Sequence, residues 1–239
     1  MNKELLTKTL AQIVNENFQA AYVLEKHQLD FCCRGKRSLQ VACDEKHLAA
    51  ERVALEIEQS VQRHHERSKD FDALTLTELA DYIVSVHHAY VKRELPQLFT
   101  YLQKISSKHG ERHVELYEIL KDFIALKQEL EEHMLKEELI LFPRIKKMEN
   151  SANNDRGASL NVKTPIGVME DEHEHAGMLL QELRRLSNNY APPADACTTY
   201  RLSFAALQAF EADLHQHIHL ENNILFPKAI EFSRSRMVQ

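Results

Sequence analysis

EEHMLKEELILFP, residues 131–143, and HQHIHLENNILFP, residues 215–227, are two copies of one segment 84 residues apart. His133, Glu137, Phe142 and Pro143 of the first copy align without a gap on His217, Glu221, Phe226 and Pro227 of the second. The match continues backwards. Phe123, Leu126, Leu130, His133, Glu137 and Ile140 follow spacings of 3, 4, 3, 4 and 3, and Leu207, Phe210, Leu214, His217, Glu221 and Ile224 repeat them. That rhythm draws a single stripe down an α-helix, and a stripe this apolar must face the core of a helical bundle. Each stripe is interrupted by one His and one Glu, four residues apart and so on the same side of the helix. A carboxylate in a core costs several kcal/mol, roughly, unless it is paired or binds a metal. Neither stripe offers a Lys or Arg near its Glu, so one or two divalent cations are the simplest compensation.

Working outward, the neighbouring segments read as two further helices. The Thr75 and Glu78 pair forms a capping box that opens a helix to about Ser107, with Pro96 expected to kink it. Another helix covers roughly 112–148. After the polar loop MENSANNDRGASLNVKTP (148–165), Pro165 sits in the first turn of a third helix ending near Asn188, and a fourth runs from about Asp195 to Phe232. Four long helices with moderate connections predict an antiparallel bundle. On the first, His88 shares a stripe with Val84, Val91, Leu95, Leu98 and Leu102, whereas His87 shares one with Glu94 and is the poorer core candidate. On the third, His173 lies with Met169, Ala176, Leu180 and Leu183. The separations from His88 to His133 (45) and from His173 to His217 (44) nearly match. The expected ligand set is therefore His88, His133, Glu137, His173, His217 and Glu221. Imidazole and carboxylate without thiolate suit iron or manganese and permit zinc. Two shared carboxylates give each of two ions two His nitrogens, with an oxo or hydroxo bridge as a further ligand and one position left open.

The rest of the chain sets limits. With 239 residues, 44% hydrophobic and 28% charged, the balance is that of a soluble globular protein. Only 5 Gly and 6 Pro are present, which favours helices over sheet turns. A formal charge of −6 and the lack of a basic, aromatic stripe argue against nucleic acid. No apolar run approaches the ~18 residues that span a bilayer. The N-terminus, MNKELLTKTLAQIVNENF, lacks the apolar core of a signal peptide. These features predict a cytoplasmic, all-α protein whose 4 Cys are thiols. Residues 1–68 read as a small helical unit, with a turn at LDFCCRGKRSL (29–39), a helix capped by Asp44 to about Arg67, and a polar linker RHHERSKDFDAL (63–74). Residues 69–239 form the bundle. His64, His65, His113, His175, His215 and His219 read as surface residues, and Cys43 and Cys197 as structural ones.

The two H-x-x-x-E-x-x-x-x-F-P copies resemble the hemerythrin-like bundle. Together with the ligand set and LDFCCRGKRSL, the chain resembles the Repair of Iron Centers family over nearly its whole length. The resemblance implies a di-iron protein with two oxo- or hydroxo-bridged iron ions that repairs iron–sulfur clusters damaged by oxidative or nitrosative stress, by donating iron or removing nitric oxide. Its partners would be proteins with damaged clusters, with nitric oxide or oxygen as small ligands, and it would be a homodimer. It further implies a role for the vicinal pair Cys32 and Cys33 in iron handling or redox chemistry. Arg34, Lys36 and Arg37 beside that pair would favour thiolate. It places His109, Glu129 and Glu172 near the iron site, with Glu129 and Glu172 along a path for iron or protons. Two other uses of the same ligands are a nitric oxide reductase or peroxidase that needs no client protein, and an oxygen-binding or iron-storage protein.

Overall fold

The computed structural model describes residues 3–63, 70–150 and 161–237, and no strand forms among them. The N-terminal unit contains α1 (Lys3–Thr7), α2 (Leu10–Glu16), α3 (Ala20–Lys26), α4 (Leu39–Glu45) and α5 (Ala50–Arg63). Four rods follow. Rod A is α6 (Leu76–Ile83), a π-helical turn π1 (Val84–His88) and α7 (Ala89–His109). Rod B is α8 (Glu115–Lys136), π2 (Glu137–Leu141) and α9 (Phe142–Asn150). Rod C is α10 (Lys163–Leu186), and rod D is α11 (Thr198–Leu220), π3 (Glu221–Leu225) and α12 (Phe226–Met237). The expected boundary at 68/69, the linker centre with His64 and His65, and most of the 148–165 loop lie outside the described residues.

Each rod packs on its neighbours in a ring, α7 on α8, α8 on α10, α10 on α11 and α11 on α7. The start of rod A meets the end of rod B, α6 against α9, and α12 also meets α9. Consecutive rods therefore run in opposite directions, as short connections require. The predicted stripes form the core: Phe123, Leu126, Leu130, Leu207, Phe210 and Leu214 are all at most 3% exposed. The Thr75 box forms with both of its hydrogen bonds.

Three sequence expectations need correction. After Glu137 the stripe does not continue on a plain 3.6 period, because the helix widens by one residue there. Leu141 turns inward and Ile140 is left 48% exposed, whereas Ile224, after Glu221, stays buried as expected. His87 is buried at 3% together with His88, since both sit in the widened π1 turn. Asp44 caps nothing. Ser38 caps α4, its hydroxyl accepting from the Val41 amide, and α4 ends before a left-handed residue at His47 (φ 55°).

The N-terminal unit and the bundle share one continuous apolar cluster, from Leu10 and Phe31 to Leu180 and Phe210. Polar contacts fasten the seam. Asn223 Nδ2 donates to the carbonyls of Phe31 and Cys32, and Glu25 of α3 meets His215 and Arg184. His219 is fully buried with its ring 5.4 Å from that of Phe31. His215 and His219 are thus seam residues rather than surface ones.

Candidate metal centre

All six expected ligands converge where the widened turns of rods A, B and D lie beside the middle of α10. His88, Glu137, His217 and Glu221 form one group of donor atoms within 4.8 Å of one another, and His133, Glu137, His173 and Glu221 form a second. Both carboxylates belong to both groups. His88 Nε2 lies 3.1 Å from His217 Nε2, and His133 Nε2 3.0 Å from His173 Nε2. Glu137 Oε2 is 3.3 Å from the Nε2 of both His88 and His133. Glu221 reaches His217 through Oε1 at 3.1 Å and His173 through Oε2 at 3.2 Å. The helix repeat explains the pairing. His and Glu at i, i+4 point one way, and the π turn then holds the carboxylate inward while the rod continues.

Burial makes this arrangement expensive without a cation. Glu137 and Glu221 are fully buried. Among the described residues, both Glu137 oxygens and Glu221 Oε2 lack a hydrogen-bond donor, and the nearby Lys92 and Lys136 reach only the outlying Glu138 and Glu172. The carboxylates instead attract positive charge onto the His88 and His133 rings. Burial opposes a charge on His133, yet Glu137 and Glu172 lift its pKa to about 10. Burial likewise opposes ionisation of Glu221, but His217 and His173 hold it well below the usual carboxylate range. Two groups of two imidazoles and two shared carboxylates, starved of positive charge, fit a pair of divalent ions.

The surroundings fix the rings. Glu138 meets His88 Nδ1 at 2.7 Å, Glu172 meets His133 Nδ1 at 2.8 Å, and Asn222 Oδ1 meets His173 Nδ1 at 2.8 Å. Each contact leaves Nε2 free to face the centre. The motif's Phe also acquires a reason. Phe142 stacks on His88 with centroids 5.8 Å apart, and Phe226 on His173 at 6.1 Å, so both rings keep water from the ligands. Glu138 and Asn222 directly follow the ligand glutamates, and that shared register was the available signal for them. His87 and Asp213, 3.1 Å apart behind His217, had no such signal.

Of the further positions, Glu172 touches a candidate ligand, whereas Glu129 pairs with His175 on the outer face at 2.7 Å. His109 does not approach the centre. It ends α7, about 30 Å along the helix from His88 at 1.5 Å per residue, where its Nε2 lies 3.2 Å from Cys197 Sγ. Cys197 is exposed, so it is not the packed structural thiol expected.

Cys32 and Cys33 sit in the turn, where Asp30 Oδ1 accepts from the amides of Cys32, Cys33 and Arg34. Gly35 is required there, because a Cβ would lie 2.3 Å from the Phe31 carbonyl oxygen. Cys33 Sγ is 3.6 Å from the carbonyl oxygen of His173. A pocket of about 200 Å³ opens beside the pair, with Glu170, Asp171, Glu174 and Asn222 on its bundle wall. The neighbouring cations do not produce a Cys32 thiolate. The hydrogen bond to Cys33, burial and the Asp30 charge all push its pKa up, so Cys32 rests as a thiol.

Comparison with known proteins agrees with this geometry. Residues 79–229 match the hemerythrin HHE cation binding domain, and residues 6–61 match ScdA_N, described as a domain of unknown function. The chain is 38% identical over 212 residues to the iron-sulfur cluster repair protein YtfE of Yersinia pseudotuberculosis serotype IB (strain PB1/+), covering 89% of this chain and 91% of that protein. It is 37% identical, over the same shares, to the protein of that name from Yersinia pestis (strain Pestoides F). No helix among the described residues is long and apolar enough to cross a membrane.

Proposed function

Because this chain belongs to the Repair of Iron Centers family, the iron–sulfur cluster repair proteins of YtfE type, we propose that it is a di-iron protein that restores damaged iron–sulfur clusters in other proteins. The observation that carries this reading is the pair of buried groups sharing Glu137 and Glu221, with no Lys or Arg among the described residues paired to either carboxylate. His88 and His217 would hold one iron, His133 and His173 the other, and the two glutamates would bridge them. Iron bound there supplies an exchangeable, redox-active cation. The chain's own residues do the rest. Glu138, Glu172 and Asn222 orient three of the rings, and Phe142 and Phe226 exclude water from one side of the centre. The Cys32–Cys33 turn, one carbonyl away from His173, brings thiol chemistry to the edge of the site. The acidic wall of the adjoining pocket suits a cation. Iron donation and nitric oxide removal both remain uses of this one centre, in a cytoplasmic homodimer.

The test is repair itself. An enzyme whose [4Fe–4S] cluster has been damaged by nitric oxide is incubated with the iron-loaded protein, and recovery of the cluster's absorbance is followed. Recovery with the natural chain, and none with Glu137→Ala plus Glu221→Ala, supports the reading. Equal recovery with both would refute it. The Cys32→Ser, Cys33→Ser variant separates this reading from a client-free nitric oxide reductase: repair falls, while nitric oxide binding persists.

A further inference from the structure

Four imidazoles aim Nε2 at the centre, so each turns Nδ1 away from it. Three of these outward nitrogens are engaged, by Glu138, Glu172 and Asn222. The fourth, Nδ1 of His217, is buried and has no hydrogen-bond partner among the described residues. The internal repeat shows what is missing. The offset that carries His88 onto His173 carries His87 onto Glu172. Where His133 has a carboxylate behind it, His217 therefore has His87.

His87 cannot replace that carboxylate. Its ring lies parallel to that of His217, with planes 8° apart and centroids 5.7 Å apart, and its own Nδ1 is turned to Asp213 at 3.1 Å. Lying parallel and offset, with its Nδ1 committed to Asp213, the His87 ring makes no hydrogen bond to Nδ1 of His217. A neutral imidazole bound to metal through Nε2 carries its proton on Nδ1, and that donor is left unsatisfied in the interior. The Glu172 position, by contrast, is reinforced by Lys136.

We propose that the two metal positions are unequal, and that the one made by His88 and His217 is the exchangeable one, from which iron is passed on. This rests on the di-iron reading and adds which ion leaves. Partners behind metal-bound histidines are typically worth about 10–100-fold in affinity, and a factor of that size sets the expected difference between the positions. Asn222 behind His173 is a neutral partner, yet it is a partner. The His133–His173 position thus has both of its rings held, and the His88–His217 position only one.

Iron release decides it. The protein is loaded with ferrous iron without oxygen and its iron per chain measured. It is then mixed with excess ferrous chelator and the coloured complex followed. Two phases of equal amplitude, differing about tenfold or more in rate, are expected. Glu138→Gln should speed the fast phase alone, and Glu172→Gln the slow phase alone. His87→Glu, made with Asp213→Asn so that two carboxylates do not face each other, should slow the fast phase toward the slow one. If that core variant fails to fold, the two surface-linked variants still assign the phases. A single phase from protein holding two irons overturns the inference while the di-iron centre stands, and so does any other assignment of the phases. Protein that takes up no iron refutes both.

Discussion

Leu139 is 70% exposed, whereas its counterpart in the repeat, Asn223, donates to the carbonyls of Phe31 and Cys32 under the N-terminal unit. The same contrast runs along the face. Leu135 is 54% exposed and Ile140 48%, while their counterparts His219 and Ile224 are 0% and 3%. At the centre itself the halves agree: His133 with His217, Glu137 with Glu221, Phe142 with Phe226. The repeat thus fixes what must meet the ions, and the outer faces have been fitted to different surroundings. One half carries the N-terminal unit and its thiols. The other is open to solvent and carries Lys92 and Glu138 behind its ligand.

The largest expected effect tests the inner likeness. Phe142 and Phe226 are each at most 1% exposed and stacked on a candidate ligand. Phe142→Ala and Phe226→Ala should each cost about 3–5 kcal/mol, read from denaturant midpoints of the iron-loaded protein. A cost near zero at one site alone would break the twofold relation.

A middle-sized effect tests the outer difference. Asn223→Ala removes two donors to carbonyls at the seam and should cost about 1–3 kcal/mol. Leu139→Ala, at the matching position, should stay within about 0.5 kcal/mol. Equal costs would mean that the seam contributes nothing that the bare face lacks.

The smallest effect is a pH dependence at the seam of the covered half. Burial works against a charge on His215, but Glu25 lifts its pKa to about 9. Its unfolded value is about 6.5. The folded pKa is the higher one, so this contribution is fully present below about pH 6.5 and is lost as pH rises through about 9. The natural chain should exceed His215→Gln by about 1 kcal/mol at pH 6, with the gap closing by pH 10. The counterpart of His215 in the other half is Glu131, which pairs with Lys127 and has no ring to titrate. A gap that persists unchanged at pH 10 would show that the Glu25 contact does not depend on charge.

The sequence made the inner face legible because its rules are periodic. A 3, 4, 3, 4 spacing identifies what points inward, and a buried His and Glu on such a stripe has few physical excuses. What it concealed were local departures from that period. The widened turn at Glu137 exchanges Ile140 for Leu141, and the one at Val84–His88 buries His87 beside His88. Contacts between distant segments were concealed too. Neither Asn223 against Phe31 nor His215 against Glu25 has any signature in spacing. The Cys32 thiol shows the same limit, since the cations beside it in sequence are outweighed by burial and by Asp30 in space.

The most direct test of the central claim is the iron content of the purified protein beside that of the Glu137→Ala, Glu221→Ala variant, with the fold of each checked by far-ultraviolet circular dichroism. The shared-carboxylate geometry predicts about two irons per chain in the natural protein and a sharp fall in a variant that stays helical. Iron near zero in both, with no other metal in its place, would contradict the account and leave the six residues as core packing alone.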